Sequence, residues 1–111
     1  MQTVSDSNYV SEVDDASDNQ IIVVNFSAAW CNPCKAMRPK IEELESQTPG
    51  VKFVYCDVDE APIQTVKLNV MSVPSYVVVH KRLEHKRFSG SGPNVISGIE
   101  QAISELSAKP I

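Results

Sequence analysis

Ile21-Ile22-Val23-Val24-Asn25-Phe26-Ser27-Ala28-Ala29-Trp30-Cys31-Asn32-Pro33-Cys34-Lys35 is the stretch that decides the fold. The run through Phe26 is β-branched and almost continuously apolar, which suits a central strand covered on both faces better than one with a wet face. Helices are therefore expected on both sides of a sheet. Beyond Cys34, Met37, Ile41 and Leu44 recur at helical spacing while Lys40, Glu42, Glu43 and Glu45 supply polar faces, until Thr48-Pro49-Gly50 stops the helix. Pro39 lies inside that helix and predicts a kink. Both cysteines thus stand where a buried strand gives way to a helix.

Working outward, Val51 to Asp57 reads as a second strand, and a short helix is expected to begin near Asp59-Glu60-Ala61-Pro62, with acids and a proline in its first turn and with Ile63 and Val66 facing inward. Ser75 to His80 and Glu84 to Phe88 form an antiparallel hairpin closed by Lys81-Arg82. A last helix runs from Pro93 to Leu106, with Val95, Ile96, Ile99, Ala102, Ile103 and Leu106 on one stripe. Before the central strand, a short strand and a helix over Ser5 to Ala16, resting on Tyr9, Val10 and Val13, complete the order. The pattern is α/β: parallel strands with an antiparallel hairpin at one edge.

With 111 residues, 42% hydrophobic and 22% charged, the chain has the makings of one globular domain with one core. A formal net charge of −4 gives no general attraction to nucleic acid or anionic membrane. The first residues lack the basic start and apolar stretch of a secretory signal, and no apolar run approaches a membrane span, so the expected location is the cytoplasm. Three cysteines do not make an exported disulfide framework.

At a helix start, unpaired N–H groups and the positive end of the helix dipole stabilise an anion, so Cys31 should ionise below a free thiol's ~8.5 and act as nucleophile. Cys34, one turn inside, can close a disulfide with it and is expected to be shielded from bulky substrates. Two exchanges follow: Cys31 attacks a substrate disulfide, and Cys34 resolves the mixed disulfide. Pro33 fixes the first turn, Trp30 is expected to lie beside the sulfurs as an apolar shield, and Lys35 adds positive charge. C-x-x-C alone could equally be half of a zinc site. Only Cys56, His80 and His85 remain as further ligands, none in a paired spacing, so no metal is assigned.

Val24 to Lys35, Pro39, Asp57-Val58-Asp59, Ser72-Val73-Pro74-Ser75 and Phe88-Ser89-Gly90 together resemble the thioredoxins, particularly the cytosolic eukaryotic form, over nearly the whole chain. The resemblance implies the thioredoxin fold, a central mixed sheet of four to five strands flanked by helices on both faces. It also implies a cis Val73-Pro74 bond beside the cysteines and a shallow groove in which Val73 pairs with extended substrate while Trp30, Pro74, Gly90 and Ser91 form the borders. It further implies a monomeric protein-disulfide reductase that acts on disulfide-containing proteins. Thioredoxin reductase would recharge it, with NADPH and FAD entering only through that partner and no cofactor in the chain itself.

Two departures bear on the site. Asn25 stands where thioredoxins usually carry a buried aspartate and cannot titrate, so deprotonation of Cys34 is expected to rely on solvent or on the departing thiolate. Asn32 replaces the usual glycine and alters the balance of thiolate and disulfide in a direction the sequence does not fix. Tyr55 takes the place of the family's lysine on the next strand. Cys56 reads as a small hydrophobe, with a regulatory thiol as alternative. His80, Lys81, Arg82, His85, Lys86 and Arg87 make the hairpin basic and Asp6, Glu12, Asp14, Asp15 and Asp18 make the N-terminal part acidic, which suggests a protected sheet edge or docking by an acidic partner. An oxidant or isomerase, or a redox-sensing binding module, could share every one of these residues.

Overall fold

The computed structural model describes residues 1–107. Five strands, β1 (Gln2–Val4), β2 (Ile22–Ser27), β3 (Lys52–Asp57), β4 (Ser75–His80) and β5 (Leu83–Ser89), form one sheet in the order β1-β3-β2-β4-β5. β1, β3 and β2 run parallel, and β4 and β5 are antiparallel to their neighbours. Every residue of β2 is buried, as an apolar run at the centre of a two-sided sheet requires.

The alternation of β2 feeds two cores. Val23, with Phe53, Tyr76 and Val78, packs under α1 (Asn32–Gln47) and α3 (Pro93–Ser107) through Met37, Ile41, Leu44, Val95, Ile99 and Ile103. On the opposite face, Ile22, Val24 and Phe26 join Val54, Cys56 and Val77 beneath the N-terminal segment's Tyr9 and Val13 and beneath Ala61. The inward stripes of α1 and α3 are those the helical spacing predicts, and Pro39 lies inside α1.

Two elements differ from expectation. The N-terminal helix spans Val10–Asp15 as a wide π-type turn continued by a 3-10 turn over Ala16–Asp18; it buries Tyr9 and Val13 and leaves Val10 exposed. The second short helix, α2 (Pro62–Lys67), starts after Asp59 and Glu60, so the acids precede its first turn, and Ile63 and Val66 are 66% and 80% exposed rather than inward. Ala61 and Gln64 are buried instead, and Leu68 and Val70 pack on the core behind them. With six residues, α2 is too short for apolar periodicity to fix its buried face.

The hairpin turn also has a physical reason for its composition. Lys81 and Arg82 both adopt positive φ, 53° and 66°, conformations that side chains rarely take without compensation. Here the N-terminal segment provides it. Ser17 accepts from the Lys81 N–H through its carbonyl at 2.8 Å and from the Arg82 N–H through its hydroxyl at 2.9 Å. The Arg82 guanidinium pairs with Asp15 and Asp18. Basic hairpin tip and acidic segment therefore satisfy one another within the chain.

Candidate active site

β2 ends at buried Ser27, and α1 begins five residues after the strand with Cys31 as its N-cap in extended conformation (φ −93°, ψ 108°). Pro33 occupies the first turn, where its missing N–H costs nothing. The Cys34 backbone N–H donates to Cys31 Sγ at 3.2 Å, so a sulfur performs the capping that an oxygen usually performs. Cys31 and Cys34 are joined by a disulfide with Cα atoms 5.3 Å apart. Both residues are 4% exposed, so overall burial does not distinguish them; Cys31 alone holds the N-cap position.

The Val73–Pro74 bond is cis and sets the Val73 carbonyl oxygen 3.8 Å from Cys31 Sγ. Ala28, Val58 and Val73 pack on the sulfur pair. Gly90, at φ +90°, donates its N–H to the Pro74 carbonyl at 2.9 Å, which brings the end of β5 against the cis turn; Gly90 and Ser91 are exposed there. Trp30 does not shield the sulfurs as expected. It is 66% exposed, and its indole N–H donates to Asp59 Oδ2 at 2.9 Å, which turns the ring toward the approach to α2. Asn32, Pro33 and Lys35 are exposed on the first turn of α1.

Asn25 lies 1% exposed in β2, in register with Tyr55 on one side and Tyr76 on the other, and neither its Oδ1 nor the Tyr76 hydroxyl has a protein partner. A recess of about 250 Å3 opens beside Cys34, bordered by Ser27, Lys35, Arg38 and Tyr55. Arg38 stacks on Tyr55 at 4.5 Å from the ring centroid, a contact that sequence spacing did not reveal. Cys56 is fully buried, and desolvation pushes its thiol up to about 12, which makes it a core residue rather than an accessible thiol. Among the described residues no group of three or more His, Cys, Asp or Glu side chains could hold a metal ion, and no helix is long and apolar enough to cross a membrane.

Comparison with known proteins agrees with this geometry. The thioredoxin family model matches residues 1–105. Thioredoxin H2 of Arabidopsis thaliana is 36% identical over 90 residues, covering 81% of this chain and 65% of that protein, so the chain spans about two thirds of that relative's length. Thioredoxin-2 of Saccharomyces cerevisiae is 36% identical over 89 residues, covering 80% of this chain and 83% of that protein. The crystal structure of Fasciola hepatica thioredoxin superposes with a TM-score of 0.83 at 28% identity, covering 95% of this chain and 98% of that one.

Proposed function

The chain belongs to the thioredoxin family, and from that premise we propose that it reduces protein disulfides by dithiol exchange through Cys31 and Cys34. The observation that carries the proposal is the Cys31 sulfur accepting the Cys34 N–H at the N-cap of α1. An anion there gains a charge-assisted hydrogen bond and the helix dipole, whereas a sulfur inside the helix gains neither.

In the reduced protein the Cys31 thiolate attacks one sulfur of a substrate disulfide; that S–S bond breaks, and the other substrate sulfur leaves as a thiolate and takes up a proton. Cys34 then gives up its proton and attacks Cys31 Sγ. The second substrate thiolate departs, two electrons have passed to the substrate, and the protein is left with its own disulfide. Asn25 offers no acid or base for the second step, so the Cys34 proton passes to solvent or to the leaving thiolate. The extended substrate lies along Val73 and between Trp30, Pro74, Gly90 and Ser91. The sulfurs carry the exchange themselves; NADPH and FAD act through a partner thioredoxin reductase. We place the protein in the cytoplasm, as a monomer.

The test is turnover of a protein disulfide with thioredoxin reductase and NADPH, alongside the equilibrium potential against glutathione. Rapid, strongly reducing turnover is expected. Good oxidation with poor reduction would instead indicate an oxidant or isomerase, and sluggish turnover with redox-dependent partner capture would indicate a binding module, the reading that a non-titrating Asn25 leaves open.

A further inference from the structure

The helix α2 has six residues, and its N-cap, Ala61, has no side chain to satisfy the free N–H groups. A helix this short does not hold itself together in water. Residues far away in the chain hold both of its ends. Asp6, between β1 and the N-terminal helix, accepts the Ile63 N–H on Oδ2 and the Gln64 N–H on Oδ1, each at 3.0 Å, and its own N–H donates to the Glu60 carbonyl. Arg87 of β5 donates from Nη2 to the Leu68 carbonyl at 2.7 Å and from Nη1 to the Asn69 carbonyl at 3.1 Å. Glu84 fixes that guanidinium in turn, accepting from Nη2 at 2.7 Å and from Nε at 2.9 Å.

What α2 joins gives these contacts their meaning. Ahead of it stands Asp59, which holds the Trp30 indole, and behind it the chain runs through Val70 to Val73, whose carbonyl approaches Cys31 Sγ, and to cis Pro74. Trp30 and Val73–Pro74 are the two walls between which a substrate segment must pass over Cys31. The far wall is tied as well to β5, through Gly90 N–H to the Pro74 carbonyl, and Arg87 belongs to that same strand.

We propose that Asp6 and Arg87 are positioning residues for substrate recognition, which together hold α2 as a fixed spacer between the two walls of the groove; this rests on the reductase reading above. The groups that stabilise the Cys31 sulfur as an anion do not belong to the spacer, although Val58 and Val73, which touch the sulfurs, flank it. Cys31 is stabilised by α1, which packs on the opposite face of the sheet from Ala61 and the rest of the α2 region. Loosening α2 should therefore leave the nucleophile's chemistry intact while the groove loses its fixed width. A protein disulfide, which must touch both walls, will feel the change; a small aromatic disulfide, which needs only the sulfur, will not.

The experiment compares pre-reduced wild-type protein with Arg87→Gln, Asp6→Ala and the milder Glu84→Gln, which leaves Arg87 in place but unsupported. Second-order rates are measured with insulin and with a small aromatic disulfide, together with the pH profile of Cys31 alkylation and the melting temperature. The expected result is an insulin rate lower by about fivefold, equivalent to about 1 kcal/mol, with the small-disulfide rate and the alkylation profile unchanged. Arg87→Lys and Asp6→Asn should restore part of the insulin rate. Equal losses on both substrates, or no loss on insulin in any folded variant, would overturn the proposal while leaving the reductase reading standing. A wild-type protein that reduces neither substrate would remove the reductase reading and this inference with it.

Discussion

The backbone N–H of Cys34 donates to the sulfur of Cys31 at 3.2 Å, so the residue proposed to resolve the mixed disulfide also holds the sulfur proposed to attack. Because the donor is main chain, the two roles of Cys34 separate under mutation. Cys34→Ser should keep the acidity of Cys31 and lose only the second exchange, so it accumulates a stable mixed disulfide with protein substrates. Cys31→Ser should form none. Mass spectrometry of each variant after exposure to an oxidised protein checks this, and equal trapping by both would refute the assignment of roles.

Asn25→Asp places a carboxyl in β2 at a site where the Oδ1 already lacks a protein partner. As a proton acceptor for Cys34 it should speed resolution of the mixed disulfide by about tenfold or more at neutral pH. It should also cost stability in a defined direction. Burial raises the folded pKa of such a carboxyl above its unfolded ~3.9, so the folded state keeps a proton the unfolded state has lost, and stability relative to wild type falls as pH rises past ~4. Stopped-flow resolution rates that coincide for the two proteins from acid to alkaline pH would show that Asn25 is a core residue without a part in the second step.

Three buried weak acids, two in the sheet and one in the N-terminal segment, set the alkaline limit of stability. Desolvation pushes Cys56 and Tyr76 each up to about 12 and raises Tyr9 as well. Unfolded, a cysteine ionises near ~8.5 and a tyrosine near ~10. Below ~8.5 both states hold these protons and the contribution is fully present; as pH rises toward 12 the unfolded state loses them first and stability falls. Urea midpoints should be flat to about pH 8.5 and then decline, and Cys56→Ala should remove the earliest part of the decline. A midpoint independent of pH up to 11 would contradict this account.

Gly98 of α3 is held small by Phe88 of β5: a Cβ at that position would come within 2.5 Å of the ring. Alanine normally stabilises a helix interior by about 1 kcal/mol over glycine, but overpacking costs about 1–3 kcal/mol. Gly98→Ala should therefore destabilise by about 1 kcal/mol. With Phe88→Ala already in place, the same change should become stabilising, and chemical denaturation of the four proteins of this cycle decides the sign.

The sequence was legible where one element explains itself. β2 announces a two-sided sheet, the stripes Met37-Ile41-Leu44 and Val95-Ile99-Ile103 are long enough to fix a helix phase, and Cys31-Asn32-Pro33-Cys34 after that strand locates the redox pair. What escaped depends on partners distant in the chain. The N-terminus of α2 is capped by Asp6, 57 and 58 residues before the groups it binds. The basic hairpin tip owes its left-handed backbone to Ser17 and its charge balance to Asp15 and Asp18. Trp30 turns outward because Asp59 offers a carboxylate that no local pattern pairs with it.

The central claim is that one sulfur is charged by a helix terminus and the other is not. Alkylation of the reduced protein by iodoacetamide, resolved by residue and followed from pH 4 to 10, tests it directly. The account predicts that Cys31 reacts with a midpoint well below ~8.5 while Cys34 lags and Cys56 stays unmodified until the protein unfolds. If Cys31 and Cys34 ionise together near the value of a free thiol, the helix terminus is not activating the nucleophile and the mechanism built on it is wrong.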